Sequence, residues 1–340
     1  MEFLLDIAGF LSKTLIIVIA IIAVILTVFA ARRDRGGRSD GQLNVSSLND
    51  FYDDLQEEMQ AEILDKAQYK AERKALEQQR KHESESDSPR QRVFVLDFDG
   101  DMQASEVSTL RQEISAVLSM ARPEDEVVIR LESRGGVGHG YGLAASQLAR
   151  IRDANIPLPI CIDKVAASGG YLMACIGNKI ISAPFAVLGS IGVVAQVPNI
   201  HRLLKKHDVD VEMLTAGEYK RTLTLMGENT EKGREKFQED LETTHLLFKQ
   251  FVHHYRPQLD MDRIATGEVW LGTDALKMQL VDELQTSDSY LTQKVRNADV
   301  YSVNFSRKKP LTERMGLAAA QGAEHSLMRL WSKLNNQRWL

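Results

Sequence analysis

Short apolar runs alternate with segments of helical periodicity from residue 93 onward. Four of the runs have the length and composition of buried strands: VFVLDF, VVIRLES, LPICIDK and KIISA. Two segments between them carry apolar side chains at helical spacing, EVSTLRQEISAVLSMA and GLAASQLARIRDAN. Strand–helix alternation of this kind predicts an α/β domain with mostly parallel strands and right-handed crossovers.

The second half of the chain has a weaker pattern. We predict one long amphipathic helix from about residue 231 to 255 and a smaller α/β tail that ends near Phe305. The apolar run at 186–198 is short and contains glycine, so we predict a buried strand there and not a second membrane span. A further strand is predicted at 211–216.

The N-terminus carries a long uncharged segment. Residues 14–31 contain no charged side chain and, as a helix, are just long enough to span a bilayer. A cleaved signal peptide would start with basic residues, whereas this chain has Glu2 and Asp6 and only Lys13 before the apolar segment. We therefore predict an uncleaved single-pass membrane anchor. The positive-inside rule places the bulk of the protein in the cytoplasm, because the segment is followed by Arg32, Arg33, Arg35 and Arg38.

Shifts in composition divide the chain into four regions. Residues 49 to 81 lack proline and glycine and are highly charged, which favours a solvated stalk helix or short coiled coil over a specific binding helix. The C-terminal segment, through LMRLWSKLNNQRWL, is typical of an amphipathic extension that lies on the bilayer or on a partner. The predicted regions are an anchor with its basic flank (1–38), a linker and stalk (39–90), the α/β domain (91–305) and the extension (306–340).

Charge and composition argue against several functions. The net charge of −5 and the lack of a basic patch with interleaved aromatics argue against a nucleic-acid partner. Cys161 and Cys175 both lie in apolar runs, which predicts buried core thiols and not a disulfide. No Cys/His cluster has metal-ligand spacing, and the adjacent His253 and His254 would point in different directions on a helix. We therefore expect no structural or catalytic metal.

A glycine-rich turn, LESRGGVGHGYG, follows the second predicted strand. It fails the dinucleotide-binding fingerprint, whose third glycine would fall on Tyr141, and the chain has no GK[ST] of a P-loop. What remains is a Gly135–Gly136 pair at a strand-to-helix turn. Free N–H groups there can hold a carboxylate, a phosphate or a developing oxyanion. A plain tight turn explains the pair equally well.

Ser168 lies in KVAASGGYLMAC, between a predicted strand and a predicted helix. The position fits a helix cap, and it also fits a nucleophile, which would need a base. Lys220 in TAGEYKRTLT is a better candidate for that base than any histidine, although a Ser-His-Asp set needs only to meet in space. A lysine acts as a base only where desolvation and the lack of a carboxylate partner lower its pKa well below the usual ~10.4. Glu218 would share a strand face with Lys220 and oppose this role, unless Arg221 draws its carboxylate away.

Residues 91 to about 290 resemble the signal peptide peptidase A family of serine proteases (peptidase family S49), in its branch with a single catalytic unit. The motifs that carry the resemblance are ESRGG at 132–136, AASGGY at 166–171, GSIGV at 189–193, GEYKRT at 217–222 and GEVWLGTDALKMQLVDEL at 267–284. Two positions depart from the family pattern: Arg134 replaces a usual proline and Gln279 a usual glycine. Because proline fixes φ, its loss is expected to loosen the turn that presents Gly136.

The resemblance implies a crotonase/ClpP-like fold of stacked βα units and a Ser-Lys dyad protease that uses no cofactor or metal. By position, Ser168 matches the nucleophile, Lys220 the general base and Ser190 the serine that orients the lysine. Gly136 and Gly169 match the backbone N–H donors of the oxyanion hole. The α/β domain at 91–305 is then the protease domain.

The resemblance also implies peptide substrates, in particular signal-peptide remnants or other membrane-derived peptides. It implies a homo-oligomer at the bacterial inner membrane, with serine and lysine supplied by one unit or by two neighbouring units. The family's catalytic domain lies outside that membrane, whereas the arginine-rich flank predicts the inside, so the side stays open. A catalytically silent membrane scaffold remains an alternative. Acyl-thioester chemistry of the crotonase type is disfavoured, because those enzymes generally lack the Ser-Lys pair.

Overall fold

The computed structural model describes residues 41–84 and 90–307. These residues belong almost entirely to one compact unit, Leu43–Ser306. The predicted anchor at 14–31 lies outside the described residues, as does nearly all of the predicted extension at 306–340. No helix in the described ranges is long and apolar enough to cross a membrane.

One sheet organises the described chain, and it is mostly parallel. Its strands are β1 (Gly41–Ser47), β2 (Gln91–Gly100), β3 (Glu126–Ser133), β4 (Pro159–Ile162), β5 (Val165–Ala167), β6 (Lys179–Ser182), β7 (Val187–Gly189), β8 (Val269–Leu271), β9 (Glu283–Leu284) and β10 (Ala298–Arg307). The main order is β1-β10-β2-β3-β4-β6-β9, and a side branch runs from β3 through β5 and β7 to β8. The β7–β8 pair is antiparallel.

The helices follow the strands in the order expected of βα units. They are α1 (Leu48–Ile63), α2 (Lys66–Ser84), α3 (Val107–Leu118), α4 (Gly138–Asp153), α5 (Gly169–Ala174), α6 (His201–Lys206), α7 (Glu231–Tyr255), α8 (Met261–Ile264), α9 (Gly272–Lys277) and α10 (Ser287–Val295). The prediction of an α/β fold is confirmed.

The central strands β2, β3, β4 and β6 are buried on both faces of the sheet, which is why they read as near-continuous apolar runs. Alternate residues of β2 enter two different cores: Phe94 and Leu96 pack with α3 and α4, whereas Val93 and Val95 pack on the opposite face with α10. All four strands predicted from apolar runs are present, as β2, β3, β4 and β6, and they pair in parallel.

The predicted stalk differs from the structure in two ways. The helical segment is interrupted, because Leu64 is extended and the Asp65 carboxylate accepts hydrogen bonds from Ala67 N and Gln68 N (both 2.9 Å), which starts a second helix. The linker before it contains β1, which pairs with β10 at the sheet edge. A helical hairpin, α1–α2, therefore replaces the single helix.

Of two further strand predictions, one is confirmed in part and one is wrong. In the run at 186–198, Val187–Gly189 forms a strand, whereas residues 193–198 are exposed and form none. Residues 211–216 are exposed and contain no strand. An apolar run predicts a strand only when other elements cover it, and here no element of the described chain does so.

Candidate active site

Ser168 is the first residue after β5 and the N-cap of α5. Its backbone is left-handed, with φ 51° and ψ −117°, and its N–H donates to Gly189 O (2.8 Å). Its side chain makes no capping hydrogen bond to the helix. A non-glycine residue in this conformation is strained, and such strain concentrates at functional sites. Ser168 is half-buried, and a serine at a sharp turn from strand to helix has the placement that a nucleophile requires.

The Gly135–Gly136 turn packs directly against Ser168. The reason is the pairing of β3 with β5 at Ser133 and Ala166, which sets the ends of these parallel strands side by side. A methyl group on Gly135 would lie 2.8 Å from Ser168 Cβ and 2.7 Å from Gly169 N. Gly135 also has φ +81°, a conformation that side chains disfavour, so both space and backbone require glycine here.

Gly136 and Gly169 each contribute a backbone N–H at this point. Within the described ranges, neither N–H donates a hydrogen bond to another protein group. Both glycines are tightly packed against other residues, which leave no room for a side chain. A methyl group on Gly136 would overlap Met102 O, and one on Gly169 would overlap Tyr141 Cγ. Two unused donors on adjacent, tightly packed turns have the character of an oxyanion hole.

Ser190 comes directly after β7, beside Ser168. Strand β5 pairs with β7 so that Ala167 opposes Gly189, which makes Ser168 and Ser190 neighbours at one edge of the sheet. Ser190 also has a left-handed backbone, with φ 51°, and its N–H donates to Glu268 O (2.6 Å). Both serines are half-buried.

Lys220 does not join this group. It is exposed, and its N–H donates to Gly217 O (3.2 Å). Among the described residues, no hydrogen bond links its amine to Ser168 or Ser190. The expected competition from Glu218 is also absent, because that carboxylate binds Lys232 at 2.5 Å. The structure thus brings together four of the five predicted site residues and leaves the lysine apart.

The segment that carries Lys220 is a long exposed loop, which we call the Lys220 arm (residues 193–226). Its only regular element is α6. Asn199 closes the base of the arm, since its side-chain amide donates to Thr224 O (2.9 Å) and Gly227 O (3.0 Å). The arm holds several exposed apolar side chains, among them Val194 and Leu214, which are 91% and 93% exposed.

The two cysteines are free and buried, as predicted. Burial raises the pKa of Cys161 to about 12 and raises that of Cys175 as well, so neither is a thiolate at neutral pH. No group of three or more metal-ligating side chains occurs in the part of the chain that the structure describes.

Sequence reasoning assigned no role to Tyr141, although the structure places it against the site. Its ring packs on Gly169, and its hydroxyl contacts Ser133 Oγ (2.5 Å). Burial raises the pKa of Tyr141, so the phenol stays protonated at physiological pH. No pattern in the chain marks this tyrosine, because its contacts come from residues far apart in sequence.

Comparison with known proteins defines the class. Residues 2–148 match the family described as "Peptidase family S49 N-terminal", and residues 150–301 match "Peptidase family S49". The protein is therefore a protease. It belongs to peptidase family S49, and the resemblance drawn from its motifs is confirmed.

Several relatives are similar over most of their length. "Probable protease SohB" of Haemophilus influenzae is 49% identical over 336 residues, which cover 95% of both chains. A "Probable protease SohB" of Buchnera aphidicola is 45% identical over 305 residues, which cover 86% of this chain and 99% of the relative. Among solved structures, a mutant of the "1510-N membrane-bound stomatin-specific protease" matches 63% of this chain and 98% of its own, with 13% identity and a TM-score of 0.41.

Proposed function

We propose that the chain is a membrane-anchored serine endopeptidase with a Ser-Lys dyad. Ser168 is the nucleophile, Lys220 the general base and Ser190 the residue that orients the lysine. The backbone N–H groups of Gly136 and Gly169 form the oxyanion hole. The observation that carries this proposal is the left-handed Ser168, uncapped and packed against the Gly135–Gly136 turn, in a chain of peptidase family S49.

The chemistry follows from these positions. The unprotonated amine of Lys220 accepts the proton of Ser168 Oγ as that oxygen attacks a peptide carbonyl carbon. The two N–H groups stabilise the negative oxygen of the tetrahedral intermediate. The lysine then gives its proton to the leaving amine, and an acyl-enzyme remains on Ser168. Water, deprotonated by the same lysine, attacks this ester and releases the acid product.

In this proposal a neighbouring copy supplies Lys220, so the active enzyme is a homo-oligomer. Two features of the Lys220 arm support this. Its lysine is exposed, no hydrogen bond among the described residues joins that lysine to Ser168, and the exposed apolar side chains of the arm would be buried by packing on a second subunit. The exposure is unfavourable for an isolated chain and is removed by assembly.

The proposed substrates are signal-peptide remnants or other membrane-derived peptides. The support is the apolar segment at 14–31, which would anchor the enzyme in the inner membrane of a bacterium and keep it close to such peptides. The bacterial relatives described above carry the name of probable proteases. Protease accessibility of the C-terminus in spheroplasts and in inverted vesicles would establish which side carries the catalytic domain.

Labelling of the full chain with a serine-reactive fluorophosphonate tests the dyad. We expect Ser168→Ala to abolish labelling and Lys220→Ala to slow it by ~10²- to 10⁴-fold, the usual contribution of a general base. The matched controls are Ser146→Ala on α4 and Lys206→Ala on the Lys220 arm, which should label at the parental rate. Equal labelling of parent, Ser168→Ala and Lys220→Ala would overturn the proposal and favour a catalytically silent scaffold.

A further inference from the structure

A buried chain of hydrogen bonds runs beneath the Gly135–Gly136 turn. Gly135 N–H donates to Ser133 Oγ (3.0 Å), Ser133 Oγ lies 2.5 Å from the Tyr141 hydroxyl, and that hydroxyl donates to Asp101 O (2.8 Å). The side chains of Ser133 and Tyr141 belong to residues that are 2% and 0% exposed. The two hydroxyl groups in this chain of hydrogen bonds are therefore almost completely shielded from solvent.

The direction of this chain is fixed. The single proton of the Tyr141 hydroxyl is directed to Asp101 O, so the proton between the two hydroxyls comes from Ser133. Ser133 in turn accepts from Gly135. Every hydroxyl donates once and accepts once, and bonds in such a chain polarise and strengthen one another.

The backbone of β2 lies close to the hydroxyl groups of Ser133 and Tyr141. A methyl group on Gly100, at the end of β2, would lie 2.5 Å from both Ser133 Oγ and the Tyr141 hydroxyl oxygen. No residue other than glycine fits beside the two oxygens without displacing them. The close packing keeps the hydroxyls in one geometry.

Both proposed oxyanion donors lie beside residues that this hydrogen-bonded group contacts. The ring of Tyr141 packs on Gly169. The hydroxyl of Tyr141 donates to the carbonyl of Asp101, and the next residue, Met102, packs against Gly136. The Met102 carbonyl also accepts from Val137 N (2.8 Å), directly after Gly136. One side chain thus contacts the supports of both N–H groups.

We propose that Tyr141 is a positioning residue that sets the two oxyanion-hole donors, Gly136 N–H and Gly169 N–H, through its ring and its hydroxyl. This inference rests on the function proposed above. Tyr141 does not touch the substrate in this account. It acts by preventing the Gly135–Gly136 turn from relaxing, and displacements of about 1 Å or less at such donors are enough to slow the reaction.

The test uses the full chain in detergent and measures how fast a fluorophosphonate inactivates it. Tyr141→Phe keeps the ring and removes the hydroxyl. We expect the maximal inactivation rate to fall by ~10-fold or more, with a change of less than about twofold in the inhibitor concentration at half-maximal rate. Ser133→Ala breaks the same chain one link away and should have an effect of similar size. The double variant should be inactivated no more slowly than the more affected single variant, because either substitution alone already interrupts the chain of hydrogen bonds.

The matched control is Tyr290→Phe, which removes another buried hydroxyl, bonded to Glu126 Oε1 (2.9 Å) on the opposite face of the sheet. It should lower the melting temperature as Tyr141→Phe does and leave the inactivation rate unchanged. A merely structural role for Tyr141 predicts the same rate for both variants, and that result would overturn the inference. If Tyr141→Phe does not fold, the inactivation rates of Ser133→Ala and Tyr290→Phe are compared instead, and equal rates would again overturn the inference.

Ser168→Ala, run in parallel, separates this inference from the function on which it rests. Unchanged labelling of Ser168→Ala would mean that the proposed function has failed. Loss of labelling in Ser168→Ala, together with parental rates in Tyr141→Phe and Ser133→Ala, would mean that only the positioning role has failed.

Discussion

Left-handed backbone at two serines is the residue-scale feature that organises the site. Ser168 and Ser190 both have φ 51°, and both follow neighbouring strands that end at the same edge of the sheet. Ser168 N–H is bonded to Gly189 O, so the residue before one serine holds the backbone of the other. Surrounding packing and hydrogen bonds maintain such strained residues, which concentrate at functional sites.

Gln279 is another non-glycine residue with left-handed backbone, and it lies where the chain departs from the family pattern. Its φ is +61°, at a position where the family usually has glycine. Its own carbonyl accepts from Arg256 Nη2 (2.8 Å), so the surrounding contacts hold the conformation in place. A side chain here costs about 1–2 kcal/mol relative to the right-handed region, whereas glycine adopts both.

We therefore expect Gln279→Gly to stabilise the fold by about 1 kcal/mol, since relief of the left-handed strain exceeds the added chain entropy. Chemical unfolding of the full chain in detergent would measure this. Lys277→Gly, two residues earlier in α9, is the control and should destabilise by about 1 kcal/mol because its backbone is helical. Equal destabilisation by both variants would show that Gln279 is not strained.

At the scale of elements, an ion pair between a buried arginine and a partly exposed aspartate joins the end of α7 to the sheet. Arg256 is 4% exposed and binds both carboxylate oxygens of Asp282 at 2.8 and 2.7 Å. The same carboxylate accepts from Ile180 N (2.7 Å), the first buried residue of β6. The family motif that contains Asp282 is thus a structural connection between helix and strand, some distance along the chain from the motifs that contain Ser168 and Lys220.

A second connection between elements depends on pH. Glu113 of α3 is 2% exposed and accepts a hydrogen bond from Phe305 N of β10 (2.7 Å). Burial, together with the nearby Glu106 and Asp97, raises the pKa of Glu113 from 4.5 to about 7. The folded state therefore binds this proton more tightly than the unfolded state does, and stability is lost as pH rises from about 4.5 to 7.

Glu113→Gln removes the charge and keeps an acceptor for Phe305 N. We expect it to be more stable than the parent by roughly 1–3 kcal/mol at pH 8, where the parent carries a buried carboxylate, and to gain nothing at pH 4.5. Unfolding of both proteins across this pH range is the measurement. A stability difference that does not change with pH would contradict the raised pKa.

The sequence predicts elements well where the element's own residues determine them. The strands β2, β3, β4 and β6 are buried on both faces, so their apolar runs stand out. The helix α7 starts at Glu231 as predicted, where the Thr230 hydroxyl accepts from Gly233 N. Prediction failed at 211–216, because an exposed apolar run looks the same in sequence as a buried one.

The site shows the same limit. Ser168, Gly136, Gly169 and Ser190 could be found from motifs, since each follows a strand whose end the sheet brings to one edge. The role of Tyr141 could not, because it depends on contacts with Gly100, Asp101 and Ser133. The position of Lys220 could not either, since it depends on where a long exposed arm packs.

At the scale of the whole molecule, the proposed function requires groups that the described chain keeps apart. One edge of its sheet carries Ser168 and two N–H donors without a hydrogen bond among the described residues, whereas Lys220 lies on the exposed Lys220 arm. A head-to-tail contact, in which each arm packs on the next subunit, would complete every site and close into a ring. In this proposal the assembly supplies the general base as well as covering apolar surface.

Mixing two inactive variants tests this directly. Ser168→Ala retains its lysine, and Lys220→Ala retains its serine, so a site formed between them would contain both groups. If the dyad forms between subunits, oligomers assembled from a one-to-one mixture should regain about a quarter of the parental number of reactive sites in a head-to-tail ring. Fluorophosphonate labelling of the mixture measures this. The control is a mixture of Lys220→Ala with the double variant Ser168→Ala/Lys220→Ala, which has no Lys220 to donate and should label only at the slow rate of Lys220→Ala. If the first mixture labels no faster than this control although its subunits co-assemble, the dyad must form within one chain, and the Lys220 arm would have to fold back onto its own Ser168.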